Sequence, residues 1–443
     1  MSHELGKTLI NKKQYREALK IFQKLLNKNN SDLRANFLIG KIYYELNNLN
    51  KSSFYFEKCD RIQPNTPNIL FNLALTLQSK GKIKEAKKNY LKLISLNSND
   101  VRSYYGLFAL NKNFINKKFC GKLKLLSKYE KISLFEKSLI NFIFSKLNKK
   151  EGNLKKEIDY LKLSQQQCYD ANPTYNNQSN FYYNKIISKS YNKIKYKDDY
   201  LRMHNFNNPS HIFIVGLPRS GSTLVETIIS HNDKSIVSVG ESHTINTSIL
   251  NQIGESIYSK DFNNKNYQFQ IDKKKFQNDL LQRYNNYEEK IYLDKSLENF
   301  FNIDIILEFF PNAKFIHTFR NLNDAIIGIY QTMLPELSWS HNIKEINNYI
   351  KIYLKTIDYF KKKYPNKILD VDLSKLSNQK TTETKKILDF CNIKFNDNYL
   401  NFDKNEKLFN KTNSFLQVRK SIMKYENKQY QPYYYLLKEI KLN

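Results

Sequence analysis

His211-Ile-Phe-Ile-Val-Gly-Leu-Pro-Arg-Ser-Gly-Ser-Thr-Leu-Val-Glu226 is the stretch that decides the fold. Residues 211–215 are apolar and rich in β-branched side chains, and Gly216 bounds them. That pattern reads as a buried strand of a parallel sheet. A tight turn follows from Gly216 to Gly221, then a helical pattern over Ser222–Ser230. Strand, glycine-bounded turn and helix together aim backbone N–H groups and a helix N-terminus at an anion. The spacing Gly216…Gly221-Ser222-Thr223 imitates a P-loop, but Ser222 stands where a nucleotide triphosphatase has Lys. Arg219, inside the loop, offers the cation instead. The loop is therefore expected to bind an anion, but not the triphosphate of ATP in the usual way.

Working outward, 443 residues are enough for a large core and two or three domains. An apolar content of 40% with 14% aromatics argues against global disorder. The formal charge is +30, from 72 Lys+Arg against 42 Asp+Glu. Such an excess fits an anionic ligand or an acidic partner. It also fits solvated lysines spread along helices, and here Lys is dispersed rather than gathered in one basic arm. Nucleic-acid binding has only this net charge behind it and is not expected. The four cysteines, Cys59, Cys120, Cys168 and Cys391, form no CxxC pair. Isolated thiols in a reducing compartment fit better than a disulfide framework or a zinc site, so no metal is expected. The N-terminal residues lack a signal-peptide core, and no apolar run approaches the ~18 residues of a membrane span. The expectation is a cytoplasmic protein without membrane attachment.

Residues 1–100 repeat with a period of about 34. Gly6, Gly40 and Ala74 are in phase, as are Ala18, Ser52 and Ala86, and Phe22, Phe56 and Tyr90. Small residues let paired helices approach closely, and the aromatic fills the space between them. This resembles the tetratricopeptide repeat family, in about three units. Such repeats bind a peptide, pack on a neighbouring domain or mediate a homodimer. Over residues 101–201 the phase is lost, but Phe135–Leu147 and Asn153–Leu163 keep helical spacing. Asp170–Asn180, polar and containing Pro173, reads as a loop or linker.

The third domain, 202–443, alternates strand and helix. Ile236-Val-Ser-Val-Gly-Glu-Ser242 puts Glu241 at the tip of a strand or turn. There it either faces the loop's ligand or is a solvated turn carboxylate. Residues 251–290 suggest a surface helix pair. Lys290–Lys295 reads as a strand ending in Asp294 and Lys295, near the crevice where open parallel sheets bind ligands. Asn299–Phe309 is amphipathic. Ala313–Arg320 is a strand with a basic residue at its end, and a helix follows, so Arg320 marks a second anion site. His317, mid-strand, reads as a satisfied core histidine. Asn342–Lys363 is a long amphipathic helix, Lys367–Asp372 a strand, Thr382–Cys391 a helix, and Tyr430–Leu437 a terminal helix. The expected fold is α + α/β: helical repeats, then a P-loop-like α/β domain whose parallel sheet has helices on both faces.

Taken together, Ile214–Glu226, Gly240-Glu241, Asp294-Lys295, Phe310–Arg320, Leu388–Cys391 and Thr412–Arg419 resemble, in order, the sulfotransferases that use 3′-phosphoadenosine 5′-phosphosulfate (PAPS). The chain is most similar to a group with tetratricopeptide repeats ahead of a domain like that of protein-tyrosine sulfotransferases. The resemblance implies a sulfuryl transfer from PAPS to an acceptor hydroxyl of a protein tyrosine, a sugar or a small molecule. It assigns the 5′-phosphosulfate to Arg219, Ser220, Gly221, Ser222 and Thr223, and the 3′-phosphate to Arg320 and the helix after it. Glu241 matches the catalytic base, and Lys295 matches a lysine at the leaving phosphate. Arg219 counts among the catalytic cations, and Arg419 with Lys420 would close over the cofactor. The family usually has Ser eight residues after the 3′-phosphate arginine, where this chain has Gly328. A repeat scaffold with a vestigial nucleotide-binding domain is the alternative. A P-loop kinase is disfavoured by the missing lysine and the lack of an acidic Mg²⁺ motif.

Overall fold

The computed structural model describes residues 2–187, 194–196, 211–230, 235–253, 269–284, 291–400 and 427–438. By its contacts the chain divides into two compact units. The first comprises Met1–Asn177, Tyr330–Asn342 and Phe409–Leu416; the second comprises Gln178–Ile329, Ile343–Leu408 and Gln417–Asn443. The expected domain boundary near Arg202 lies outside the described residues.

The first unit opens with three antiparallel helix pairs: α1 (His3–Asn11) and α2 (Tyr15–Lys28), α3 (Leu33–Glu45) and α4 (Leu49–Ile62), α5 (Pro67–Ser79) and α6 (Ile83–Leu96). The 34-residue phase has a direct physical cause. A Cβ on Gly6 would lie 2.3 Å from the Phe22 ring, and one on Gly40 would lie 2.8 Å from the Phe56 ring. Each of these first two pairs closes because the aromatic of its second helix seats on the bare backbone of its first. Tyr90 departs from this pattern and seats on Gly106 of the following helix, 2.4 Å from where a Cβ would be. Ser52 tightens the second pair by donating from its hydroxyl to the Gly40 carbonyl at 2.9 Å.

Five further helices continue the unit: α7 (Val101–Leu110), α8 (Lys117–Ser127), α9 (Leu134–Lys150), α10 (Leu154–Asp170) and α11 (Pro173–Phe181). A capping box of Ser133 and Glu136 starts α9. The loop expected over Asp170–Asn180 is instead helical on both sides of a short turn. Pro173 is the first residue of α11, where its missing N–H costs nothing. The segment Tyr330–Asn342 also packs in this unit. Gln165 donates from Nε2 to the carbonyls of Tyr330 and Thr332, at 2.6 and 3.1 Å. Its Oε1 pairs with His341 Nδ1 at 2.7 Å. Burial presses the His341 imidazole down to about 4, so it is neutral there.

The second unit is built on a five-stranded, all-parallel sheet. Its strands are β2 (His211–Gly216), β3 (Ile236–Gly240), β5 (Ile291–Asp294), β6 (Lys314–Phe319) and β7 (Ile368–Asp372), in the spatial order β3-β5-β2-β6-β7. Two short strands, β1 (Ile194–Tyr196) and β4 (Phe269–Ile271), pair separately in parallel. Alternation along β2 covers both faces of the main sheet. Ile212 and Ile214 join Val225, Ile228 and Ile229 of α12 (Ser222–Ser230) in one core. Leu376 of α18 (Leu373–Asn378) and Ile387 and Leu388 of α19 (Lys380–Phe390) complete it. On the other face, Phe213 packs on Phe310 and Phe315, while Phe300 and His317 meet Tyr353 of α17 (Ile343–Lys363).

His317 is a core histidine with both ring nitrogens partnered, by Asp370 at 2.7 Å and by the Tyr353 hydroxyl. The remaining helices are α13 (Thr244–Ile253), α14 (Lys273–Tyr284), α15 (Ile303–Phe309) and α16 (Leu322–Tyr330). Two expectations shift. Leu297–Asn302 is a 3₁₀ turn leading into α15, whereas the described part of 251–290 does hold two helices in contact, the end of α13 and α14, with β4 between them. The terminal segment is also 3₁₀, over Asn427–Gln429 and Gln431–Leu437.

Candidate active site

Each loop after the first four strands in the sheet carries a charged candidate. In spatial order these are Glu241 after β3, Lys295 after β5, Arg219 after β2 and Arg320 after β6. All four strands run the same way, so the four residues share the carboxyl edge of the sheet, the usual ligand crevice of open α/β folds. Neighbouring strands are spaced by about 4.8 Å.

The β2–α12 turn owes its shape to backbone freedom. Gly216 has φ 142°, and a Cβ there would stand 2.3 Å from the Thr318 carbonyl oxygen. Gly221 has φ 88° and meets Leu373 in the same way, at 2.6 Å. Arg219 takes φ 66°, unusual for a residue with a side chain. Ser220, Ser222 and Thr223 are buried, and Ser220 Oγ has no hydrogen-bond partner among the described residues. An orphaned hydroxyl in an anion-type turn fits a ligand oxygen.

Glu241 and Lys295 form one charge cluster with a residue that sequence reasoning missed. Lys295 Nζ donates to Glu241 Oε1 at 2.5 Å and lies 3.7 Å from Glu226 Oε2. The lysine side chain is 1% exposed and the Glu241 side chain 44%, so one end of the pair is buried and the other opens to solvent. Burial works against the ammonium, but Glu241 and then Glu226 outweigh it and hold Lys295 above its ordinary value. Glu226 is pushed up by burial, and Lys295 and the Ser238 hydroxyl, donating at 2.6 Å, offset only part of that. In the sequence Glu226 is an ordinary residue in a helix. Only the packing of α12 on β3 turns it toward Lys295.

Beside this cluster, Asp294 accepts from the Ser242 hydroxyl at 2.5 Å and the Ser296 N–H at 2.7 Å, which fixes the β5 end. His243, at φ 51°, pairs through Nδ1 with Glu298 at 3.0 Å. Burial alone would lower the imidazole, but Glu298 raises it above its ordinary value. Glu298 also accepts from the Tyr183 hydroxyl at 3.0 Å.

Arg320 is 6% exposed. Its Nη2 donates to the Asp324 carbonyl, its Nη1 donates to the Tyr430 hydroxyl at 3.0 Å, and its Nε is buried with no partner among the described residues. Gly328 explains this posture. A Cβ there would lie 2.0 Å from Arg320 Nη2 and 3.7 Å from Arg219 Cβ. The missing side chain is thus the space into which the guanidinium folds, and it brings Arg219 and Arg320 together. Burial lowers Arg219, Tyr430 opposes this, and the neighbouring Arg320 adds to it. Two neighbouring guanidinium groups of this kind have the chemistry to hold an anion. Arg419 and Lys420 lie outside the described residues.

Residues 209–397 match the sulfotransferase family, and residues 33–66 and 67–100 match the tetratricopeptide repeat. An uncharacterised protein of Aquifex aeolicus is 27% identical over 225 residues, 48% of this chain and 29% of the relative. A TPR repeat-containing protein of Methanocaldococcus jannaschii is 36% identical over 84 residues, 19% of this chain and 15% of the relative. The chain spans less than a third of the length of these curated relatives. The glycine-bounded turn and the parallel sheet thus lie in a sulfotransferase-family domain, residues 209–397, that follows tetratricopeptide repeats at residues 33–100.

Proposed function

We propose that the protein is a sulfotransferase that moves a sulfuryl group from PAPS to an acceptor hydroxyl. The observation that supports this most is the row Glu241, Lys295, Arg219, Arg320 along one sheet edge. Its three cations, Lys295, Arg219 and Arg320, follow adjacent strands and span two strand spacings, roughly 10 Å. A ligand with two phosphate-type groups set apart suits that row better than one compact polyphosphate. The orphaned Ser220 hydroxyl and Arg320 Nε fit such a ligand.

In this reading PAPS supplies the activated sulfuryl group. The turn from Arg219 to Thr223 binds its 5′-phosphosulfate, Arg320 and the start of α16 bind its 3′-phosphate, and Arg419 with Lys420 close over it. As the acceptor oxygen bonds to sulfur and the bond from sulfur to the bridging phosphate oxygen breaks, Glu241 takes the acceptor's proton. Lys295 swings from Glu241 toward the leaving oxygen, while Glu226 remains as its buried counter-charge. That exchange frees the Glu241 carboxylate when a base is needed and delivers a cation where negative charge grows. Positioned charges carry the chemistry, so no metal is required by this scheme. The acceptor is a hydroxyl on a protein or peptide tyrosine, as in the protein-tyrosine sulfotransferases, or on a carbohydrate or small molecule. The repeats present a peptide or pair two copies, and the protein works in the cytoplasm.

Incubation with sulfur-labelled PAPS and a mixed acceptor panel tests the reading. Labelled product should appear with wild type, and Glu241→Gln should slow turnover by about 10²–10⁴-fold while 3′,5′-ADP (PAP) still binds. A Glu241→Gln enzyme as fast as wild type would remove the carboxylate from the chemistry. No PAP binding by wild type would leave the scaffold alternative.

A further inference from the structure

The hydroxyl that Gly328 does not carry has a counterpart 102 residues later in the sequence, outside the matched domain. The Tyr430 oxygen accepts from Arg320 Nη1 at 3.0 Å, and the guanidinium carbon lies 4.7 Å from the centre of the same ring. Four residues on, the Tyr434 hydroxyl donates to Asp324 Oδ1 at 2.6 Å. Asp324 is fully buried and also gives its carbonyl to Arg320. Two tyrosines of Asn427–Lys438 therefore fasten that segment to the first turn of α16, with Arg320 between them. The phenol oxygen of Tyr430 accepts from Arg320, and its own O–H proton has no acceptor among the described residues. That proton sits beside the two guanidinium groups of Arg219 and Arg320, where an anion would be drawn. Arg320 itself keeps a buried Nε without a partner among the described residues, so the guanidinium's donor set is incomplete as it stands.

We propose that Tyr430 is a direct ligand of the nucleotide's 3′-phosphomonoester. Its hydroxyl takes the place of the donor absent at position 328, and Tyr434 holds it there. This rests on the PAPS reading above. The terminal segment is then part of the nucleotide site rather than a cover for the core. The glycine and the tyrosine go together: bare backbone at 328 lets Arg320 lie back against α16, and only in that posture does Nη1 reach Tyr430.

Calorimetric titration of full-length wild type, Tyr430→Phe and Tyr434→Phe with PAP and with 5′-AMP tests this. The two nucleotides differ only in the 3′-phosphate. Phenylalanine keeps the ring on Arg320 and removes only the hydroxyl. Tyr430→Phe should bind PAP about ten- to a hundredfold more weakly and 5′-AMP as before, the usual size for a lost hydrogen bond to a charged group. Tyr434→Phe should weaken PAP in the same direction by less, because it loosens the anchor without touching the ligand. Unchanged PAP affinity in Tyr430→Phe, with wild type favouring PAP over 5′-AMP, overturns the tyrosine's role and leaves the nucleotide reading standing. Tighter PAP binding in Tyr430→Phe also overturns it, since the tyrosine would then be an occupant that the phosphate must displace. Equal weakening of both nucleotides would mean a structural role only. If wild type does not distinguish PAP from 5′-AMP, the 3′-phosphate site and the tyrosine's part in it both fall.

Discussion

At position 328 a side chain is missing for a reason that involves two other residues. Gly328 leaves room for Arg320 Nη2, which would stand 2.0 Å from any Cβ there. Serine at 328 would offer a hydroxyl but would push the far end of the Arg320 side chain away from the Asp324 carbonyl and from Tyr430. Gly328→Ser is therefore expected to weaken PAP binding severalfold instead of strengthening it, and a titration of the purified variant checks this. Tighter binding would mean that Arg320 reaches the phosphate better once displaced. The same corner shows what single residues disclose in a sequence. Arg219, Glu241, Lys295 and Arg320 are legible as strand-end residues because each follows an apolar, β-branched run, whereas the roles expected of them come from the family resemblance. Glu226 and Tyr430 are not. One reads as an ordinary helix residue and the other as an aromatic in a terminal segment. Their roles come from contacts with residues 69 and 110 positions away, which no local pattern encodes.

Among the elements, the strands and the repeat helices follow from periodicity, and the loops are where reading and structure part. In the sequence Pro173 reads as a break, yet it starts α11, because the first turn of a helix needs no N–H from that residue. The turn between β3 and α13 holds a further device that no spacing reveals. His243 and Glu298 meet at 3.0 Å, and the imidazole is raised from its ordinary 6.5 while the carboxyl is lowered from 4.5. For the carboxyl, burial acts upward and the bond and charge of His243 outweigh it. A raised histidine contributes stability that is complete below 6.5 and is lost as pH climbs through its folded value. A lowered carboxyl contributes stability that is complete above 4.5 and is lost as pH falls through its folded value. The pair therefore supports the fold best between about 4.5 and 6.5 and fades on both sides. Urea midpoints of wild type and His243→Gln should differ most in that interval and converge once pH has climbed past the folded value of the histidine. A difference that persists unchanged at high pH would show that packing of the ring, not its charge, is what the variant removes.

Across the whole molecule, the formal charge of +30 and the anion row act at different ranges. Charges spread over the surface act on a bisphosphorylated nucleotide by long-range steering, which salt screens over a Debye length of about 8 Å at physiological strength. In the proposed complex Arg219 and Arg320 would lie close to the phosphates and largely out of water, so salt would weaken their hold far less. Raising salt from 50 to 500 mM should therefore slow PAP association strongly while its dissociation rate changes little, which stopped-flow mixing can resolve. Binding should also be felt locally. A ligand at a hundred times its Kd adds about 2.7 kcal/mol to the state that binds it. In hydrogen exchange that stabilisation should protect the amides of β2, β6 and the Gly216–Gly221 turn, where the phosphates would be held. The helices α1–α6 contain none of the proposed nucleotide ligands, so their exchange should stay as it is without PAP. Protection of the repeats by PAP alone would mean that the helical unit takes part in nucleotide binding, and the repeats could no longer be read as serving only an acceptor or a second copy of the chain.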